Sequence, residues 1–141
     1  MPNITDDRSA IIDILINSTV IALVGHSDKK HRDSYRIAEF LREETYTVYP
    51  VNPMVQEIDG RISYPDLKSV PEQIDIVLVF RQGQYLMEIV EEALNLNPWC
   101  LWTQLGVTDE KATTLADQQG LQVVVDRCIK IEYKSIMESI V

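Results

Sequence analysis

Five short apolar runs alternate with stretches of helical period, and this alternation constrains the fold more than any other feature of the chain. Val20-Ile21-Ala22-Leu23-Val24 runs without a polar break and stops at Gly25. Thr47 to Val51, Ile74 to Phe80, Trp99 to Trp102 and Leu121 to Val125 repeat the theme. Runs that are apolar at nearly every position suit strands covered on both faces. Between them, Ile37, Ala38 and Leu41 mark one helical stripe, with Ser34 as its expected N-cap. Leu86, Ile89, Val90, Ala93 and Leu94 mark a second. Ala112, Leu115 and Ala116 mark a third, opened by Thr108-Asp109-Glu110 and closed by Gly120. Ile11, Ile12 and Leu15 predict a helix before the first strand. Tyr133, Ile136, Met137 and Ile140 predict another after the last, packed on the chain's own sheet. The alternation predicts an α/β fold: a Rossmann-like, doubly wound, parallel five-stranded sheet, order 3-2-1-4-5, with helices on both faces. Met54 to Gln73 reads as a loop with room for a short helix around Asp66 to Val70. With 141 residues and no repeat or long linker, the chain is expected to form a single domain that needs neither disulfide nor metal to fold.

In a doubly wound sheet a ligand sits at the carboxyl ends of the strands, where strand order reverses. Four loops should meet there: Gly25 to Ser34, Val51 to Pro53, Phe80 to Gln84, and Gln104 to Val107. The first is the most informative. Gly25 permits a tight turn, Ser27 offers a hydroxyl, and a helix starting near Ser34 aims free N–H groups into the crevice. Lys29, Lys30, Arg32 and Arg36 bring four of the chain's 13 lysines and arginines into this one stretch. A run of cations is ordinarily a solvated surface. Placed after the first strand and beside a helix start, this one predicts a phosphate site. It stands out against a net charge of −9, which argues against a general nucleic-acid surface.

The loop is not a dinucleotide fingerprint. G-x-G-x-x-G would need glycine where the chain has Ser27 and Lys30. The second strand ends in Val51-Asn52-Pro53, without the carboxylate that holds an unphosphorylated ribose, so a sugar-phosphorylated nucleotide is compatible with it. No G-x-x-x-x-G-K-[ST] P-loop occurs. Cys100 and Cys128 are too few for a disulfide framework. No apolar run approaches the ~18 residues of a membrane span. Met1 to Asp7 lacks the basic and apolar regions of a signal peptide. A cytoplasmic domain is the expectation.

Six motifs carry a family resemblance: Val24-Gly25-His26-Ser27, Ser34-Tyr35-Arg36, Pro50-Val51-Asn52-Pro53, Val79-Phe80-Arg81, Gln104-Leu105-Gly106-Val107 and Asp126 to Glu132. Together, from about Thr19 to Lys134, the chain resembles the small CoA-binding-domain proteins, single-domain relatives of the N-terminal domain of the succinyl-CoA synthetase alpha subunit. The resemblance implies a Rossmann-like fold that binds coenzyme A, or an acyl-CoA, in the switch-point crevice. It implies that Gly25, His26 and Ser27 meet the CoA phosphates, and that Lys29, Lys30, Arg32 and Arg36 lie where they hold the 3′-phosphate or pyrophosphate. It implies that Ser34 and Tyr35 belong to the same site. Val51, Asn52 and Pro53 would border the adenosine, Phe80 and Arg81 the nucleotide or pantetheine, and Leu105 and Gly106 the pantetheine arm. The chain departs from the family where Lys29-Lys30-His31 replaces a stretch that often holds proline, and at Leu78, often polar in relatives.

The chemistry-bearing residues do not assemble into a catalytic set. His26 reads as a loop donor and His31 as a solvated residue; two histidines without a cysteine or carboxylate at ligand spacing make no metal site. Cys100 reads as core. Cys128 is either a packing residue or a thiol activated by Arg127 and Lys130. Asp126 and Arg127 are expected to pair. No nucleophile, base and orienting group stand together as acyl transfer requires. A CoA-binding module without its own complete catalytic site is the main reading. A subunit of a CoA-linked ligase or transferase and an NAD-sensing domain remain as alternatives. A protein partner or homo-oligomer is open; nucleic acid and membrane are not expected partners.

Overall fold

The computed structural model describes residues 3–140. In chain order the elements are α1 (Arg8–Asn17), β1 (Val20–Val24), α2 (Asp33–Glu43), β2 (Thr47–Val51), β3 (Glu57–Ile58) and β4 (Arg61–Ile62). There follow β5 (Ile76–Val79), α3 (Leu86–Leu94), β6 (Cys100–Thr103), α4 (Glu110–Gln118), β7 (Gln122–Val124) and α5 (Ile129–Ile140). Every strand and helix expected from the alternation is present, with ends within a few residues of the apolar runs.

Five strands form one parallel sheet, order β2-β1-β5-β6-β7. The alternation puts Ile74–Phe80 third in sequence, outside the second strand. The structure instead pairs Ile76–Val79 with β1, Ile21 opposite Ile76 and Val24 opposite Val79. The place outside β2 is held by Tyr64, in a parallel bridge with Val51. Counted with that rung, the order read from this edge follows the 3-2-1-4-5 pattern. Proline explains why the rung stays short. Pro50 has no N–H to give, so the edge is joined only by Tyr64 N–H to Pro50 O and Asn52 N–H to Tyr64 O, each 2.9 Å. Two residues before Pro50, the Arg42 guanidinium covers the Val48 carbonyl at 2.9 Å. On the opposite edge, Asn3 bridges Val123 and the Ile4 N–H donates to the Val123 carbonyl.

The two-residue period of the strands divides the core. Ile21, Leu23, Ile76, Leu78 and Trp102 face α1, α2 and α5. Ala22, Val24, Val77, Val79 and Leu101 face α3 and α4. Each fully buried leucine or isoleucine contributes on the order of 1.5–3 kcal/mol. Helix propensities differ by only tenths of a kcal/mol per residue, so packing holds these helices in place. α5 buries Ile136 of the expected stripe in the first of the two layers and packs Tyr133 and Met137 against it, while Ile140 of the stripe is exposed and Ile129, outside the stripe, is buried.

Local chemistry sets the helix ends. Asp7 caps α1 through Ala10 N–H, and Asp109 caps α4 through Lys111 and Ala112. Ser34 does not cap α2 as expected. The cap position falls two residues earlier, at Arg32, no side chain caps the helix, and the Ser34 hydroxyl accepts the Ser27 N–H at 2.9 Å. The Met54–Gln73 segment holds one turn of 3-10 helix at Leu67–Ser69, where a short helix is expected. It also holds the β3–β4 hairpin, which the apolar pattern does not announce.

Candidate functional site

The sheet reverses between β1 and β5: α2 carries the chain from β1 to β2 on one side, and β5 begins the walk to the other. At the carboxyl ends of these two strands lies a crevice of about 370 Å³. Gly25, Ser27, Lys29, Arg32 and Ser34 line it from the first loop, Asn52 from the second, and Phe80 from the third. All seven are residues the sequence singles out. Asp33, which sequence reasoning passed over, lines it too.

Gly25 sits at φ +92°, and a Cβ there would stand 3.1 Å from Arg81 Cγ and 3.3 Å from the Phe80 carbonyl carbon. The exit of β5 passes so close that a side chain there would push Arg81 or Phe80 aside by a few tenths of an ångström, on top of the left-handed backbone. The loop is then closed from within. Ser27 Oγ accepts the Lys29 N–H at 3.0 Å, and Ser27 N–H donates to Ser34. With no side-chain cap on α2, its first N–H groups and the positive end of its dipole are left for an anion.

His26 has no exposed surface. Its Nδ1 lies 2.9 Å from the Ser27 carbonyl, which only accepts, so Nδ1 carries the proton. Nε2 is then the acceptor for Arg42 Nη1 at 3.2 Å. Burial, followed by the opposing Ser27 hydrogen bond and reinforced by the charge of Arg42, leaves its pKa lowered to about 4. Burial and the neighbouring Arg61 draw Arg42 down to about 10, so it remains cationic at neutral pH. His26 lies behind the crevice and does not line it; its carbonyl accepts the Asn52 side-chain amide.

Asn52 ties two loops together. Its Nδ2 donates to the His26 carbonyl and its Oδ1 accepts the Met54 N–H, each at 2.9 Å. Val51 is buried in the core and Pro53 is exposed beside the crevice. Tyr35 is buried, with its hydroxyl on the Asp59 carboxylate. Lys30 and Arg36 are exposed just outside the lining. Arg81 lays its guanidinium 4.0 Å from the centroid of the Tyr85 ring. Leu105, 59% exposed, and Gly106 form a turn after β6 away from the lining, and the Gly106 N–H donates to Asp126 at 2.7 Å. Gly83 is a further requirement: a Cβ there would lie 2.0 Å from the Thr108 carbonyl oxygen.

The expected Asp126–Arg127 pair is not made. Asp126, at φ +60°, turns its carboxylate to Gly106, while Arg127 reaches Asp6 at 2.7 Å and Glu132 at 3.6 Å. Among the described residues those are the ion pairs; Lys29, Lys30, Arg32 and Arg36 make none. Cys100 is buried in the core, which pushes its thiol pKa up. Cys128 is half-buried against the first core layer. His31 is exposed. Among the described residues no group of three His, Cys, Asp or Glu is placed to hold a metal, and no helix is long and apolar enough to cross a membrane.

A parallel, doubly wound sheet with an uncapped helix and unpaired cations at its point of reversal defines a Rossmann-like α/β domain with a basic crevice. Residues 19–134 match the CoA binding domain family, and the chain belongs to it. It is 34% identical over 126 residues to the uncharacterised protein YneT of Bacillus subtilis, covering 89% of this chain and 93% of that one. A hypothetical protein from Pyrococcus horikoshii has the same fold, with TM-score 0.89, 35% identity and 92% of each chain covered. An ADP-forming acetate–CoA ligase of Archaeoglobus fulgidus is 33% identical over 73 residues, 52% of this chain but 11% of the ligase.

Proposed function

We propose that this chain binds coenzyme A, or an acyl-CoA, in the crevice at the N-terminus of α2, as a module without a complete catalytic site of its own. The observation that carries this is the set of unpaired cations around an uncapped helix start. Coenzyme A brings a pyrophosphate and a 3′-phosphate, the charge such a site would neutralise. On this reading the turn from Gly25 to Ser27 meets the pyrophosphate, and Lys29, Lys30, Arg32 and Arg36 share the phosphates. Ser34 and Tyr35 support the helix start, and Val51, Asn52 and Pro53 border the adenosine. Phe80 and Arg81 flank the ligand, with Leu105 and Gly106 along the pantetheine arm. The reactive thiol belongs to the cofactor.

A second reading has the chain work as one subunit of a CoA-linked ligase or transferase. It draws on the match to the acetate–CoA ligase, in which the shared region is a small part of a longer chain. An NAD-binding domain has less in its favour, because Ser27, Lys30 and Asn52 stand where NAD sites place glycines and a carboxylate.

Thermal unfolding with coenzyme A, dephospho-CoA, acetyl-CoA, NAD and ATP separates these readings, since a ligand that binds only the folded state raises its stability. Coenzyme A is expected to raise the melting temperature, and more than dephospho-CoA. Stabilisation by NAD with no effect of coenzyme A overturns the proposal.

A further inference from the structure

We infer that His26 is a positioning residue that aims a backbone N–H of the first loop at the ligand's pyrophosphate without touching the ligand. This rests on the reading of the crevice as the coenzyme A site. Two carbonyls of the turn are gripped from the protein side: that of His26 by Asn52, and that of Ser27 by the His26 ring. A peptide group is planar and trans, so its C=O and N–H point in opposite directions. With the Ser27 carbonyl drawn inward to a fully buried imidazole, the N–H of Asp28 on the same peptide points outward. It does so between Ser27 and Lys29, both of which line the crevice.

The ring itself is held from behind. Arg42 donates to Nε2 while its other nitrogen is fixed on Val48, and the Tyr35 ring packs T-shaped against the imidazole, centroids 6.2 Å apart at 82°. Arg42 thereby sets which nitrogen of His26 is free to donate. The chain of contacts runs from the edge of the sheet, through the imidazole, to the peptide that presents the Asp28 N–H.

Two substitutions divide the two ring nitrogens. His26→Asn places an amide N–H near the position of Nδ1 and keeps the Ser27 bond. His26→Gln places its amide near the position of Nε2, keeping a partner for Arg42 and losing the Ser27 bond. Calorimetry is expected to show His26→Asn binding coenzyme A within about threefold of the parent, and His26→Gln about tenfold or more weaker. The loss should be equal for coenzyme A and dephospho-CoA, which share the pyrophosphate. Equal losses in both variants, or a weaker His26→Asn than His26→Gln, overturn the inference. If either variant fails to fold, the unsubstituted protein still decides: the Asp28 amide resonance should move downfield when coenzyme A is added, and an unmoved Asp28 amide overturns the inference. Failure of the parent to bind coenzyme A at all sinks the functional reading instead.

Discussion

Gly25 answers two demands at once, a left-handed backbone and the passage of Arg81 Cγ 3.1 Å from where its Cβ would stand. Gly25→Ala is expected to cost about 1–3 kcal/mol, seen as a lower urea midpoint at unchanged slope. The turn glycine is legible in the sequence, since it ends an apolar run and opens a polar loop. The approach of Arg81 is not, because nothing local says which strand runs beside β1. His26 hid for the same reason. A histidine beside Ser27, Asp28 and Lys29 reads as a donor facing the loop until Arg42, sixteen positions on, is folded against its other side. The cations were legible as a cluster, and their test is direct. The double reversal Lys30→Glu with Arg32→Glu should weaken coenzyme A binding, with a loss that shrinks as salt is raised. Unchanged affinity in titrations at low salt would put the phosphates elsewhere.

The helices differ in how their starts are finished, and that difference separates stability from binding. Asp109 accepts two N–H groups at the start of α4. Asp109→Ala should therefore lower stability by about 1 kcal/mol in thermal or urea unfolding, with coenzyme A affinity unchanged. Arg32 precedes α2 without capping it, so Arg32→Ala should change stability by less than about 0.5 kcal/mol while weakening coenzyme A. A large stability loss in the second variant would mean that the α2 start is built for folding and not for a ligand. Strands and helices with several apolar positions were legible as elements. The β3–β4 hairpin was not, because two-residue strands carry too few side chains to show a period. Its signal was the dipeptide Asp59-Gly60, both at positive φ, the chemistry of a tight hairpin turn.

For the molecule as a whole, one buried group ties stability to acidity. His26 has its pKa lowered from 6.5 to about 4 in the folded state, so between those values the unfolded chain binds the extra proton. Stability must therefore rise with pH across that window and fall as pH drops from neutrality, by a total of roughly 3 kcal/mol from this residue. Urea midpoints measured from pH 7 to 4.5 should fall, and His26→Asn should flatten that part of the profile. An identical profile in the variant would show that His26 titrates alike in both states. The architecture was legible because the central strands β1, β5 and β6 are buried at every position and so read as apolar runs. The seat of Ile76–Val79 beside β1 was not, since parallel neighbours are chosen by the crossover and by Pro50, far from the strand itself. The sheet's rims have a consequence of their own. One is interrupted by proline, crossed by a single rung and covered by Arg42; the other is overlaid by Asn3 and Ile4. Neither presents the row of open N–H and C=O groups on which a neighbouring molecule lays down a strand, so at high concentration the folded protein should resist growing into fibrous or domain-swapped assemblies.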